Sequence, residues 1–221
     1  MKLSIVIPFY NEENMIQKMY DALVAEVNKI TKAEFEIIFI NDGSKDRTFE
    51  KMLAIAEGDS RVKYISFSRN FGKEAGTIAG LEYATGEAVI LMDGDLQHPP
   101  ALLPQMIEAY EEGYDVVSAR RTRTGEKPHR TFLAKHFYRL ANKMMDIELM
   151  DGVSEFRLFS RKAVRAILSL QEYNRFSKGI FSWIGFKEKV IEYENQVRTV
   201  GETKYSLKFS LNYAIQGILS F

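Results

Sequence analysis

The sequence predicts an α/β fold in which a mostly parallel, doubly wound sheet carries helices on both faces. In the first half of the chain, short apolar segments alternate with segments of helical periodicity, and glycines or a proline pair mark several boundaries. Alternating strands and helices form right-handed βαβ units, which build such sheets. Ligands of these sheets bind beyond the carboxyl ends of the strands. Functional side chains are therefore expected in the loops that follow the strands.

Each predicted element follows from its apolar pattern and its boundaries. The predicted strands are Leu3–Pro8, Phe35–Ile40, Val62–Phe67, Ala88–Met92, Asp115–Ser118, Phe156–Phe159 and Lys189–Glu194. The predicted helices are Asn14–Ile30, Lys45–Glu57, Lys73–Ala84, Ala101–Glu112, Thr131–Met145, Arg161–Leu170 and Arg175–Ile184. The remaining segments of the second half are predicted as a basic loop, a turn and a further loop: Arg120–Arg130, Asp151–Glu155 and Gln196–Lys204.

The chain is predicted to form one catalytic domain over residues 1–205, because no Pro/Gly/Ser-rich linker divides it. Residues 206–221 are predicted as a C-terminal amphipathic helix, which either lies next to a membrane, as we prefer, or packs on the domain. This helix stops without a glycine, asparagine or proline signal, so we expect the natural chain to continue. No apolar run reaches the roughly 18 residues that a membrane span needs.

Composition excludes some classes of function. Lys+Arg and Asp+Glu both total 30, so no overall field attracts nucleic acid. The chain has no cysteine, which excludes disulfides and thiolate metal sites and makes the cytoplasm the default location. Five basic residues nevertheless crowd one stretch, either as a solvated face or as an anion-binding surface: Arg120, Arg121, Arg123, Lys127 and Arg130.

The segment Asp93-Gly94-Asp95 carries the most informative chemistry, because two carboxylates follow a buried strand. Close carboxylates repel unless a cation lies between them. Mg²⁺ or Mn²⁺, with diphosphate oxygens and water as the other ligands, meets that need. Gly94 would let the backbone approach the diphosphate. Such a triplet also occurs in ordinary turns, but its position after the fourth strand favours a metal site.

Three neighbouring polar residues have two interpretations each. Gln97 is either an amide ligand of the metal or a solvated turn residue. His98 is either a catalytic base or, as we prefer, a packing residue ahead of the Pro-Pro turn. Asp42 follows the second strand and either binds a nucleobase or ribose, as we prefer, or caps the helix that begins near Lys45.

In its motifs the chain resembles the inverting family 2 glycosyltransferases, and within them the polyprenyl-phosphate sugar synthases, such as dolichyl-phosphate mannose synthases and bactoprenol glycosyltransferases. The resemblance rests on motifs in order along the chain: Ser4–Glu12, Asn41–Ser44, Ser68–Glu74, Asp93–Pro99 and Phe156–Leu158. It implies the GT-A fold, a nucleotide-diphosphate sugar donor, Mg²⁺ or Mn²⁺, and a polyprenyl phosphate acceptor. By resemblance to bacterial members we favour a UDP-sugar carrying a hexose or N-acetylhexosamine.

The resemblance also implies roles for single residues. Pro8, Tyr10, Glu12, Asp42 and Asp93 match nucleotide-binding positions, and Asp93, Asp95 and Gln97 match metal ligands, with Asp95 also counted as catalytic. Arg121 matches a catalytic arginine near the acceptor phosphate. The further phosphate-binding residues implied are Arg123, Arg198 and Lys204.

Two departures from the family pattern matter. A Gly-Asp pair usually precedes Phe-Arg-Leu, whereas this chain has Ser154-Glu155, so the predicted catalytic acid is one methylene longer. Family members also commonly continue into transmembrane helices, which would place the enzyme on the cytoplasmic face of the plasma membrane, in cell-wall glycosylation. The resemblance leaves a homo-oligomer open.

Mechanistically, inversion implies one in-line displacement. A phosphate acceptor is largely dianionic at pH 7 and does not require a base, so Glu155 either takes a proton or orients a substrate.

Two alternative functions remain open: sugar transfer to a hydroxyl acceptor, and a nucleotide-sugar-binding module without turnover. A dinucleotide-binding dehydrogenase is disfavoured because the loop after the first strand, Pro8–Glu12, contains no glycine.

Overall fold

The computed structural model describes residues 1–122, 142, 150, 152–170 and 176–194. The strands are β1 (Lys2–Phe9), β2 (Glu34–Asn41), β3 (Val62–Ser66), β4 (Ala88–Leu91), β5 (Val116–Arg121), β6 (Val153–Ser160) and β7 (Glu188–Tyr193). The helices are α1 (Ile16–Val27), α2 (Thr48–Gly58), α3 (Lys73–Tyr83), α4 (Leu103–Glu111), α5 (Arg161–Ser169) and α6 (Ser177–Trp183), and a 3₁₀ turn over Pro100–Leu102 precedes α4.

The strands form one sheet in the order β3-β2-β1-β4-β6-β5-β7. All neighbouring strands pair in parallel except β6, which is antiparallel to both β4 and β5. The carboxyl ends of β1 to β5 and β7 therefore share one edge of the sheet, and β6 begins at that edge. The predicted mostly parallel α/β fold is confirmed.

Helices cover both faces of the sheet, as predicted. Alternate β1 side chains such as Ile5 and Ile7 pack in one cluster with residues of α1, α2 and α4. Val6 points to the other face and packs with residues of α3, α5 and α6. At Gly80 of α3, an added Cβ would lie only 2.1 Å from Val6 Cγ1, so the helix rests directly on the strand. The central strands are therefore buried on both sides, which is why they are continuously apolar.

One buried carboxylate joins the strands at the edge opposite the site. Glu36 of β2 is 3% exposed and accepts hydrogen bonds from Ser4 Oγ at 2.6 Å, from Thr85 N at 2.6 Å and from Lys63 Nζ at 2.6 Å. Burial raises the pKa of Glu36, but these hydrogen bonds outweigh it and lower the pKa from 4.5 to about 2. Glu36 therefore stays ionised and links β1, β2, β3 and the turn after α3.

Several predicted boundaries differ from the structure, and two of these differences concern predicted site residues. The segment predicted as a turn ends in β6, which already includes Ser154 and Glu155. The predicted basic loop begins inside β5, which includes Arg120 and Arg121. In both cases an interior strand extends by a few polar residues at the end that lies nearest the site, where side chains are only partly buried and need not be apolar. The predicted helix 131–145, apart from residue 142, and the segments 196–204 and 206–221 lie outside the described residues.

Candidate active site

The loop after β1 is fastened to the loop after β2. Asn11 N donates to Ser44 Oγ at 3.0 Å, and Lys45 N donates to Asn11 Oδ1 at 2.8 Å. Asn11 has a φ of 51°, in the left-handed region that asparagine tolerates better than most residues. Three residues predicted to contact the nucleotide lie at the end of β1 or on the loop after it and are half-buried: Pro8, Tyr10 and Glu12.

Asp42 is 3% exposed and holds the loop that follows β3. Its Oδ1 accepts from Phe71 N at 2.7 Å, and its Oδ2 accepts from Gly72 N at 3.0 Å and from Asn70 Nδ2 at 2.8 Å. Burial raises the pKa of Asp42, although the two backbone donors act to lower it. The helix-cap alternative was wrong, because α2 begins at Thr48, whose N–H donates to Asp46. Asp42 thus has a structural role that the sequence did not suggest.

Asp93 and Asp95 follow β4, as predicted, and each already has a partner. Asp93 Oδ1 lies 2.5 Å from Lys73 Nζ, at the start of α3. Asp95 Oδ1 accepts from Gln97 N at 3.1 Å, which closes a tight turn. Within that turn Leu96 has a φ of 58°, a conformation that costs a non-glycine residue energy and is common at functional sites.

Gly94 is required by packing in a way the sequence did not reveal. A Cβ at Gly94 would lie 2.3 Å from Phe9 Cε1, inside the ring. Phe9 is 2% exposed and packs edge-on against Phe39, with ring centroids 5.4 Å apart. The ring of Phe9, at the end of β1, therefore packs directly against the backbone between Asp93 and Asp95, so only a glycine fits at position 94.

His98 is a buried packing residue, in agreement with our preferred interpretation. Its ring stacks on Phe156, with centroids 5.8 Å apart, and its Nδ1 lies 3.9 Å from Asp93 Oδ2. Within the part of the chain that the structure describes, Nδ1 has no hydrogen-bond partner. Burial lowers the pKa of His98, while the charges of Asp93, Asp95 and Glu155 act in the opposite direction.

Glu155 belongs to this same group of acids. It lies on β6, which pairs antiparallel with β4 through Leu91 and Arg157, so both strands lead from that pair toward the same edge. Its charge acts on the buried His98 together with those of Asp93 and Asp95. The side chain is half-buried, and its neighbour Ser154 is fixed by donating from Oγ to Ala119 O at 2.9 Å. The predicted catalytic acid and the predicted metal ligands thus lie on adjacent strands at the same edge of the sheet.

Arg121 ends β5 beside Tyr193, the last residue of β7. Burial raises the pKa of Tyr193, the charges of Asp93 and Asp95 raise it further, and Arg121 acts to lower it. Arg121 therefore lies on the side of the sheet that carries the acids. Arg120 differs, because its guanidinium is paired with Glu192 of β7. Because this ion pair offsets the charge of Arg120, we no longer count Arg120 among the basic residues predicted to bind anions.

The donor set fits a divalent cation only in part. Carboxylate and amide oxygens are what Mg²⁺ and Mn²⁺ prefer, and the ammonium of Lys73 already stands as a cation at Asp93 Oδ1. Among the described residues, however, no three Asp, Glu, His or Cys side chains are close enough together to hold an ion. Asp93, Asp95 and Gln97 could therefore hold the metal only together with oxygens from a bound diphosphate.

Lys73 and Tyr193 were missed by the sequence analysis. Lys73 is part of the family motif Ser68–Glu74 but was given no role. A helix that follows a parallel strand begins near the carboxyl ends of the strands, where ligands bind, so its first residue was a candidate. Tyr193 could not be found, because nothing in the sequence indicates that β7 pairs with β5. Three predicted phosphate-binding residues lie outside the described part: Arg123, Arg198 and Lys204.

Comparisons with known proteins show the family to which the chain belongs. The sequence profile described as "Glycosyl transferase family 2" matches residues 4–168. CsbB of Bacillus subtilis (strain 168), which is named as a glycosyltransferase, is 50% identical over 99% of this chain and 66% of its own length. A bactoprenol glucosyl transferase of Shigella phage SfX is 42% identical over 100% of this chain and 72% of its own length.

The architecture also has counterparts among solved structures. Glucosyl-3-phosphoglycerate synthase from Mycobacterium tuberculosis, in complex with Mn²⁺ and uridine-diphosphate-glucose, superimposes with a TM-score of 0.61. The identity is 20%, and the match covers 98% of this chain and 76% of the other. At that identity the likeness concerns the fold, and it confirms the predicted GT-A architecture. The chain spans about two thirds of the length of CsbB. No helix in the described ranges is both long and apolar enough to cross a membrane.

Proposed function

Because the chain belongs to glycosyl transferase family 2, we propose that this glycosyltransferase moves a hexose or N-acetylhexosamine from a UDP-sugar to a polyprenyl phosphate, with inversion. One observation carries the proposal: Asp93 and Asp95 lie at the end of β4, beside Glu155 on the neighbouring strand β6. The relatives named as bactoprenol glucosyl transferases support the acceptor class.

The donor would bind across the loops that follow β1, β2 and β4. Pro8, Tyr10 and Glu12 supply half-buried surface for the nucleoside. Asp42 would reach it from the adjacent loop, either directly or by shaping the segment it holds at residues 70–72. A structural relative with 20% identity holds a UDP-sugar and Mn²⁺ on this fold, which supports the donor class.

A bound Mg²⁺ or Mn²⁺ would offset the charge that builds on the departing diphosphate. Asp93, Asp95 and Gln97 would hold it, and Gly94 would keep the backbone between the two acids close to the sheet. The buried ring of His98 packs behind Asp93 and limits the directions in which that carboxylate can turn. These residues contribute orientation and charge rather than a covalent bond to the sugar.

The acceptor phosphate would approach from the β5–β6–β7 side. Arg121 would bind it, and arginine suits a phosphate because its planar guanidinium donates two parallel hydrogen bonds. A dianionic phosphate attacks without losing a proton, so Glu155 would orient the sugar or the acceptor instead of acting as a base. A hydroxyl acceptor would need that base, and the choice of acceptor therefore decides what Glu155 does.

The acceptor class implies work at a membrane surface, because a polyprenyl tail stays in the hydrocarbon while its phosphate lies among the headgroups. The basic residues Arg121, Arg123, Lys127 and Arg130 would meet anionic lipid there, each worth about 1 kcal/mol near the surface. Salt-sensitive sedimentation with anionic vesicles, and little with neutral ones, is the expected result. Recovery in the supernatant with anionic vesicles at low salt would contradict this contact.

The decisive experiment offers purified protein a panel of UDP- and GDP-sugars, Mg²⁺ or Mn²⁺, and two acceptors with the same prenyl chain. One acceptor ends in a phosphate and the other in a hydroxyl. We expect sugar transfer to the phosphate only, and loss of transfer when EDTA is added. Transfer to the alcohol instead would replace the proposed acceptor, and no transfer from any donor would overturn the function.

A further inference from the structure

Lys73 lies against a predicted metal ligand without having a role in the function proposed above. Its Nζ is 2.5 Å from Asp93 Oδ1, and both side chains are partly shielded, with 33% and 26% of their surfaces exposed. The pair joins the first turn of α3 to the loop after β4. Lys73 therefore occupies one of the two carboxylate oxygens of Asp93 that would be offered to a divalent cation.

The position of this lysine is electrostatically unfavourable for the helix. Lys73 is the first residue of α3, and the amino end of a helix carries a partial positive charge that repels a cation. The loop is nevertheless held firmly in place, since Asp42 accepts hydrogen bonds from Phe71 N and Gly72 N. The buried carboxylate of Asp42 thus fixes the loop that precedes Lys73. This loop holds the lysine ammonium beside Asp93 although the helix dipole disfavours a positive charge there.

We propose that Lys73 is a built-in counter-ion of Asp93, which competes with the divalent metal and makes metal binding depend on the donor's diphosphate. The inference rests on the proposed function. Without a nucleotide, a metal must displace the ammonium, and within the described ranges it finds no third Asp, Glu, His or Cys side chain beside Asp93 and Asp95. With a nucleotide, the diphosphate supplies oxygen ligands to the metal and negative charge to the displaced ammonium. The enzyme thereby favours metal and donor bound together over metal alone.

The test measures Mn²⁺ affinity with and without UDP, by titration with detection of unbound Mn²⁺ by electron paramagnetic resonance. Lys73→Met removes the charge and keeps the aliphatic stem, and Lys73→Gln is a second variant with a polar end. The control is Lys32→Met, because Lys32 also pairs with a carboxylate, that of Glu111, but lies before β2 at the opposite edge.

Without UDP, we expect both Lys73 variants to bind Mn²⁺ about five- to tenfold more tightly than the wild type, a range suited to a partly exposed ion pair. The factor by which UDP strengthens Mn²⁺ binding should fall in the same variants, while Lys32→Met stays at wild-type values. A purely structural lysine would not alter this factor.

Equal or weaker Mn²⁺ binding by both Lys73 variants in the absence of UDP would overturn the inference. This outcome is distinct from failure of the proposed function, because the comparison needs no sugar transfer. Wild-type protein that transfers sugar, together with Lys73 variants of unchanged Mn²⁺ affinity, would refute the counter-ion role alone. Tighter binding by the variants in a protein that transfers no sugar would refute the function alone.

Discussion

Asp42→Asn separates two roles of one residue, nucleoside binding and support of the loop at residues 70–72. The carboxylate accepts three hydrogen bonds, from Phe71 N, Gly72 N and the Asn70 amide, at 2.7 to 3.0 Å. An asparagine has only one acceptor oxygen on its side chain. Whichever way its amide turns, at least one backbone N–H faces an NH₂ group.

The cost follows from that count. A buried donor left without an acceptor costs about 1–3 kcal/mol. The neutral amide also relieves part of the desolvation that raises the pKa of Asp42, so we expect a net loss near the lower end, about 1–2 kcal/mol. Asp42→Ala leaves both backbone donors without their acceptor and should cost more, about 3 kcal/mol.

Urea unfolding without ligand measures this loss, and calorimetric titration with UDP measures the nucleotide affinity of the same samples. Asp21→Asn is the control, because Asp21 is exposed on α1 and its carboxylate accepts a hydrogen bond from the side chain of Gln17 on the same helix. Loop support predicts lower stability and weaker UDP binding together. Asp42→Asn with wild-type stability, to within about 0.5 kcal/mol, and weakened UDP binding would refute loop support and leave a ligand role alone.

Three further substitutions test the metal, the acid of β6 and the buried carboxylate of β2. Asp95→Asn should lower sugar transfer at least about a hundredfold, or roughly 2.7 kcal/mol of barrier, with little change in urea stability; near-normal turnover at saturating Mn²⁺ would contradict the metal assignment. Glu155→Gln should lower kcat about a hundredfold through lost orientation while leaving a measurable rate, and wild-type kinetics would remove Glu155 from the site. Glu36 has a pKa lowered to about 2, so its ionised form contributes about 3 kcal/mol above pH 4.5, and this contribution is lost as the pH falls toward 2. Glu36→Gln should therefore be less stable than the wild type at pH 7 and approach it in acid; a difference in urea stability that does not change with pH would be inconsistent with that pKa.

The strands in the parallel half of the sheet were predicted correctly from the sequence, because strands that are buried on both faces are continuous apolar runs. The rule that ligands bind beyond the carboxyl ends of parallel strands also predicts that Asp42, Asp93 and Asp95 lie at one edge of the sheet. Those predictions needed only local pattern and the geometry of parallel strands. The family resemblance then identified the chemistry.

The remaining features depend on contacts between distant segments, which local patterns do not encode. Glu155 was assigned to a turn because Gly152 and polar residues surround it, whereas pairing with β4 and β5 extends the strand. Lys73 needed knowledge of where α3 begins relative to the loop after β4. Gly94 was explained by a ligand, while the structure shows that the ring of Phe9 already requires a glycine there.

The antiparallel strand β6 also has a consequence for how the chain folds. Strands β1 to β4 are complete by Leu91, but β4 gains its second neighbour only with Val153–Ser160, about sixty residues later. During synthesis on the ribosome, the backbone N–H and C=O groups on that side of β4 therefore stay unpaired until β6 has been made. An unpaired strand edge is a template for aggregation. Fragments that end before β6 should therefore aggregate, whereas fragments that include Ser160 and the helix after it close the edge. The strand that carries Glu155 thus also determines when the open side of β4 is closed during synthesis.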